Sequence, residues 1–182
     1  MDHDYKNQII RHELGHWTTA KSLGFSVGDI MINVSSDRRG GHHASSRIFP
    51  MHSFENLNSL VDYLENRIAI LYAGFHSQIS RIDDTQKEHI DSIRDIDCSD
   101  DNSKIRELSI ILRGIIHCGN LTTDNEEEQT LAILEKSDEL SKKIFEENIS
   151  IIAMMAPKIS RKIIQPSEPY TILYSDLNSW WD

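Results

Sequence analysis

Residues 9–23 read IIRHELGHWTTAKSL, and this stretch predicts the helix around which the fold is built. Apolar residues recur there at the spacing of one helix face, and Gly24 follows as a natural stop. They are Ile9, Leu14, Trp17, Ala20 and Leu23. The pattern predicts a helix over 5–23. Gly15 lies in its middle, where glycine costs about 1 kcal/mol relative to alanine, so we expect another element to pack closely against that turn.

The same stretch contains an HExxH motif, formed by His12, Glu13 and His16. Histidines four positions apart lie on one face of a helix, one turn apart, where both can bind one metal ion. Glu13 projects beside that face, where a metal-bound water would lie. This arrangement is typical of zinc peptidases, in which the glutamate takes a proton from the water. The alternative is a surface helix that carries two histidines by chance.

Composition narrows the class of protein. The 182 residues suit one domain, or one domain with a small appendage, and 38% apolar with 26% charged residues is typical of a globular protein. A net charge of −10 argues against a nucleic-acid or anionic-membrane partner. Neither an apolar run near 18 residues nor a secretory signal is present. Cys98 and Cys118 form no CxxC pair, so we expect reduced thiols and a cytoplasmic location.

After the motif helix, the sequence predicts a strand over 26–34, a turn over 35–41 and a returning strand over 42–49. A helix over 54–82, broken near Gly74, comes next. Residues 83–97 are charged and ambiguous, with a hint of another helical turn. A helix over 101–117 and a long helix from 124 or 125 to about 156, before Pro157, complete the set. The tail is either a late strand or an extended arm that ends in the exposed-looking pair Trp180 and Trp181.

The expected fold is therefore mainly α-helical, with a small β-hairpin or sheet after the motif helix. We assign residues 1–157 to the main domain and 158–182 to a C-terminal extension. A catalytic zinc usually has three protein ligands and one water. A metzincin would place a third histidine six residues after His16, but that position holds Ser22. Spacing alone does not select a glutamate of the kind that a thermolysin-like enzyme uses.

The order of these elements resembles the peptidase domain of the FtsH family of zinc proteases. HELGH resembles the family's HEAGH, with Leu14 in place of alanine, and the strand at 30–34 follows as it does there. LENRIAILYAG at 64–74, the Ser99-Asp100-Asp101 helix start and the long helix at 131–156 extend the resemblance over about 6–157. It implies a zincin-like helical domain that binds Zn²⁺ and cleaves peptide bonds. It also implies that an aspartate at that helix start is the third ligand.

Two aspartates compete for the ligand role. The family's helix carries small or apolar residues four, seven, eight and eleven positions after its ligand aspartate. Counted from Asp101, these positions hold Ile105, Leu108, Ser109 and Leu112. If Asp100 were the ligand, the same positions would place the charged side chains of Lys104 and Glu107 in the core, so Asp101 is the better candidate. An acid at a helix start also suits the helix dipole and balances the metal charge. The alternative for Asp101 is a helix-capping acid. Cys98 is expected to be a neighbour of the metal and not a ligand.

The chain also departs from the family. It holds no GxxxxGK[ST] phosphate loop and no membrane segment, so we expect a stand-alone, ATP-independent peptidase. Changes at Ala73-Gly74-Phe75 and near Ser77-Gln78 put the family's hexamer in doubt and leave the oligomeric state open.

The expected reaction is zinc-dependent cleavage of flexible or unfolded protein segments. Glu13 acts as general base on a water held with His12, His16 and Asp101, and the substrate lies along 30–34. His42 and His43 could stabilise the oxyanion, although paired histidines on a hairpin are more often merely exposed. One alternative is a zinc-stabilised binding module that acts through a protein partner. Another is a helical interaction domain without metal.

Overall fold

The computed structural model describes residues 2–36, 41–50, 53–83 and 85–181. Within these ranges the chain is mainly helical, with one three-stranded antiparallel sheet. In chain order the elements are α1 (His3–Ser22), β1 (Val27–Val34), β2 (His42–Ile48), α2 (Leu57–Ile79), α3 (Lys87–Ser92), a π-helical turn (Ile93–Asp97), α4 (Ser99–Ile116), α5 (Glu126–Lys162), β3 (Tyr170–Ile172) and α6 (Tyr174–Trp181). The expectation of a mainly helical protein with a small sheet after the motif helix is confirmed.

Helix α1 runs through the middle of the molecule. The Asp2 side chain caps its start by accepting from the amides of Asp4 and Tyr5, and Gly24 follows its end with a φ of 79°. Every residue from Ile9 to Ala20 is buried between α2, α5 and the sheet. A Cβ on Gly15 would lie 2.2 Å from the carbonyl oxygen of Ala73 in α2. The close packing that Gly15 predicted is therefore confirmed.

The sheet has the order β2-β1-β3, so β1 is its central strand. The predicted hairpin forms, with Val34 opposite His42 and Ile32 opposite Ala44. Residues 37–40 of the predicted turn lie outside the described ranges. Part of the substrate position expected along 30–34 is occupied, because Ile30 to Ile32 of β1 pair with β2 on one side and with β3 on the other. Among the described strands, β2 is the edge beside the motif helix.

Two other segments differ from the sequence prediction or are resolved by the structure. Helix α2 continues through Gly74 without a break. The ambiguous segment before α4 forms the short helix α3 and the π-helical turn, and Ile93 is its buried residue.

In the described part of the chain, no helix combines the length and the apolar character that a bilayer crossing requires.

The C-terminal residues complete the main core. Helix α5 passes through Pro157 and ends at Lys162, and β3 then adds to β1 with Ile172 opposite Ile30. Ile159, Ile163, Ile172 and Leu177 are buried in the same cluster as the apolar face of α1. Trp180 and Trp181 are half-buried against that cluster, so the tail is a strand and a helix and not an exposed arm.

Candidate metal centre

Helix α1 places the two motif histidines side by side against α2. Both are 7% exposed, and their rings lie almost perpendicular at 87° with centroids 4.6 Å apart. The two Nε2 atoms are 3.0 Å apart. The spacing of one helical turn therefore brings two potential ligand atoms to one point, as the motif predicted.

Asp101 reaches the same point from the first turn of α4. Its Oδ2 lies 3.1 Å from Nε2 of His12 and 3.1 Å from Nε2 of His16. Asp100 is exposed, and the residues that its alternative register would have buried, Lys104 and Glu107, are exposed too. The sequence had reached Asp101 through the inward positions of α4, and the structure buries Ile105, Ser109 and Leu112 of that set.

Each imidazole is fixed through its other nitrogen. The Nδ1–H of His12 donates to Oε1 of Gln78 at 2.9 Å, and the Gln78 amide nitrogen donates to Asp97 at 2.8 Å. The Nδ1–H of His16 donates to the carbonyl oxygen of Ile70 at 2.7 Å. With the proton on Nδ1, a neutral histidine carries a lone pair on Nε2. Sequence reasoning had not identified these partners, since Gln78 and Ile70 are distant in the chain and carry no motif.

Three acceptors therefore converge: two imidazole lone pairs and one carboxylate oxygen. Such a group is stable only with a cation between its members, either a proton or a metal ion. The ligand atoms of His12, His16 and Asp101 all lie within 4.8 Å of one another, and the group can hold a metal ion. Two neutral nitrogens and one carboxylate are a donor set that suits Zn²⁺.

Charge at the centre follows the same geometry. Burial lowers the pKa of His16, but the Asp101 carboxylate and Glu13 outweigh it and raise that pKa to about 9. Burial raises the pKa of Asp101, but His16 and His12 outweigh it and hold the pKa well below its usual range. In the metal-free chain these two shifts favour a proton shared between His16 and Asp101, whose place a bound metal ion would take.

Gly74 explains why α2 can approach this group. A Cβ at that position would lie 2.5 Å from Cε1 of His16 and 2.8 Å from Cε1 of His12. Any side chain would push the imidazoles away from Asp101. The low helix propensity of glycine predicts a helix break at Gly74, whereas in the structure this glycine leaves room for the two rings.

Glu13 lies 5% exposed on the wall of a cleft of about 250 Å³ that also contains the three ligand atoms. The hydroxyl of Ser46 on β2 donates to Oε2 of Glu13 at 2.8 Å. The same hydroxyl oxygen lies 2.7 Å from the backbone carbonyl oxygen of Glu13. This bond fixes one carboxylate oxygen and ties the motif helix to the edge strand.

Cys98 is 3% exposed and lies outside the group of ligand atoms. Burial raises the pKa of its thiol to about 12, with Asp101 and Asp97 adding to the effect. The thiol stays protonated at neutral pH, and a protonated thiol is a poor metal ligand. This fits the expectation that Cys98 is a neighbour of the centre.

Comparison of the chain with protein-family models and with curated proteins finds no match to either. The interpretation of the site therefore depends on its geometry and on the chemistry of its residues.

Proposed function

We propose that the protein is a zinc-dependent endopeptidase that cleaves flexible or unfolded protein segments without ATP. The observation that carries the proposal is the convergence of His12, His16 and Asp101, with the Glu13 carboxylate in the same cleft. A purely structural zinc site has no need of a general base and is usually closed by four protein ligands. Among the described residues the group supplies three ligands, which would leave one position of a bound zinc ion for water or substrate.

The edge strand β2 supports a peptide substrate. It forms one wall of the cleft, from His42 to Ile48, and pairs with β1 on one side only among the described strands. An extended peptide can add to the other side through main-chain hydrogen bonds. Such binding requires a segment without secondary structure of its own, so flexible regions are the preferred substrates.

Zn²⁺ bound to the three ligands would polarise the peptide carbonyl and make the attacking water more acidic. The Glu13 carboxylate takes one proton from this water as its oxygen bonds to the carbonyl carbon. The C–N bond then breaks, and Glu13 returns the proton to the leaving nitrogen. Ser46 holds Glu13 in place during both transfers, because its hydroxyl donates to the carboxylate.

Cleavage of casein by the zinc-loaded protein, without ATP, tests the proposal. The wild type should cleave, whereas Glu13→Gln should keep zinc and lose at least about 100-fold in rate, as loss of a general base implies. Metal content after purification, measured by mass spectrometry, identifies the ion. Equal cleavage by both proteins would rule out Glu13 as the base. Zinc binding by both without cleavage by either would favour a zinc-stabilised binding module.

A further inference from the structure

His42 and Tyr5 form a second polar pair in the cleft. His42 is the first residue of β2 and lines the cleft together with His12 and Glu13. The Tyr5 hydroxyl is 2.8 Å from Nδ1 of His42, and the two rings meet edge-on with centroids 5.8 Å apart. Tyr5 is only 2% exposed. A buried, rigid phenol thus fixes the orientation of an imidazole in the cleft.

The neighbouring His43 provides a contrast. His43 also lines the cleft, but it is exposed, and the alternation of β2 directs its side chain to the opposite face of the strand from that of His42. The sequence predicted the same possible role for both histidines, and the structure gives His42 a hydrogen bond to Tyr5 of α1.

The protonation of His42 follows from its surroundings. Burial lowers its pKa and His12 and His43 add to the effect, while Asp97 and Glu13 raise the pKa without reversing the net change. The ring is therefore neutral at pH 7. A phenol is a stronger acid than a neutral imidazole, so the Tyr5 hydroxyl donates to Nδ1 and the proton of His42 lies on Nε2. His42 thus presents a neutral N–H donor.

We propose that His42, positioned by Tyr5, donates its Nε2–H to the scissile carbonyl oxygen as negative charge develops there. This role rests on the proposed peptidase function. As water bonds to the carbonyl carbon, the π electron pair of the carbonyl moves onto its oxygen. When the C–N bond breaks, that pair returns. His42 keeps its proton throughout and stabilises the charged stage, while Glu13 handles the transferred proton.

A neutral donor suits this cleft. Four carboxylates, those of Glu13, Asp97, Asp100 and Asp101, already line it, and a cationic imidazole would pair with one of them instead of with substrate. Neutral histidines are used in this way where a carbonyl must be polarised beside a carboxylate base. Fixing the ring by Tyr5 avoids the cost of ordering it when the peptide binds.

Kinetics on a fluorogenic peptide provide the first test. His42→Ala should lower kcat by about 100-fold with a change in KM of less than about threefold, as loss of one oxyanion donor implies. His42→Gln, whose amide nitrogen can replace Nε2–H, should recover part of the rate. Tyr5→Phe should lower kcat by a smaller factor, on the order of tenfold. His117→Gln, at the far end of α4, is the matched control.

A rise in KM with unchanged kcat in His42→Ala would overturn the proposal, because it would show binding of the ground state only. Unchanged kinetics in that variant would also overturn it. His42→Ala must retain the wild-type circular dichroism spectrum for the kinetics to count.

A second measurement separates this proposal from the peptidase function. A peptide with a phosphinate in place of the scissile amide carries the developing charge permanently, and an uncharged ketomethylene peptide does not. Zinc-loaded His42→Ala should bind the phosphinate about 100-fold more weakly than the wild type and the ketomethylene equally well. That result without cleavage of casein would contradict the peptidase function, while still showing that His42 donates to a charged oxygen bound in the cleft. Equal phosphinate binding by both proteins, or none by either, would overturn the donor role.

Discussion

Single atoms decide whether the two motif histidines can bind a metal ion. The Gln78 side chain accepts from Nδ1 of His12 and is itself held by Asp97, so it directs the Nε2 lone pair toward Asp101. Outer partners of this kind typically change metal affinity by 10–100-fold. Gln78 is 1% exposed, so it has no solvent to replace a lost bond.

Gln78→Met keeps the size of the side chain and removes the acceptor. We expect zinc affinity, measured by competition with a chromophoric chelator, to fall about 10–100-fold. Gln78→Glu keeps an acceptor for His12 but loses the amide that donates to Asp97 and places two carboxylates side by side, so it should recover only part of the affinity. Gln129→Met is the control, since Gln129 is also buried and hydrogen-bonded but lies at the start of α5. Equal zinc affinity in Gln78→Met and the wild type would contradict the positioning role.

The His16–Asp101 pair makes the stability of the metal-free protein depend on pH. The pKa of His16 rises from 6.5 in the unfolded chain to about 9 in the folded one. A raised pKa contributes stability below pH 6.5, and this contribution is lost as pH rises through about 9. The lowered pKa of Asp101 acts oppositely and contributes above its ordinary value of 3.8.

We therefore expect the melting temperature of the metal-free wild type to fall between pH 7 and 9.5 more steeply than that of Asp101→Asn. Differential scanning calorimetry over this range provides the measurement, with chelator present throughout. Saturating zinc should reduce the slope, because the metal ion replaces the proton. Parallel curves for the two metal-free proteins would show that no proton is shared at this point.

At the scale of elements, Gly15 and Gly74 allow α1, α2 and the two imidazoles to pack closely together. Gly74→Ala should weaken zinc binding by at least about tenfold and lower the unfolding free energy by about 1–3 kcal/mol, the usual cost of overpacking. Its methyl group would meet both imidazoles. Gly114→Ala in α4 has open space around it and should instead raise the unfolding free energy by up to about 1 kcal/mol. Urea unfolding checks both, and equal effects would contradict the packing role of Gly74.

The sequence pattern predicted the helices and strands better than the contacts between them. Apolar periodicity located α1, α2, α4 and α5, because each helix buries one continuous face. The choice of Asp101 came from the family resemblance, whose pattern of inward positions fits α4 when it is counted from Asp101, and Ile105, Ser109 and Leu112 of that set are buried. Gln78 was missed because its contact with His12 joins two helices that are distant in the chain, and nothing local distinguishes it from a surface glutamine.

The misassigned features have a common physical cause. Gly74 had looked like a helix break because glycine has a low helix propensity, but close packing overrides propensity. The strand expected to bind substrate is central in the sheet and not an edge, because strand order depends on β3, which lies 136 positions or more after β1. Local pattern predicts that a strand forms and does not predict which strand becomes the edge.

At the scale of the whole molecule, the C-terminal segment shares the core of the motif helix. Leu177 of α6 is fully buried in the cluster that contains Ile9 and Trp17 of α1. Lys21 of α1 also lies over the rings of Trp17, Tyr174 and Trp181, which joins the end of the motif helix to the tail. The tail and the metal-binding helix should therefore unfold together.

Leu177→Ala should lower the free energy of unfolding by about 2–5 kcal/mol, the usual range for a large-to-small change in a core. Leu173→Ala, at a neighbouring position that is 52% exposed, should change it by less than about 0.5 kcal/mol. Urea unfolding should be followed by both far-ultraviolet circular dichroism and tryptophan fluorescence, since Trp17 reports on α1 and Trp180 and Trp181 report on the tail. Coincident transitions in both variants are expected, because one core unfolds as one unit. An early fluorescence transition in Leu177→Ala, with the circular dichroism midpoint unchanged, would show instead that 158–182 is an extension that folds apart from the metal centre.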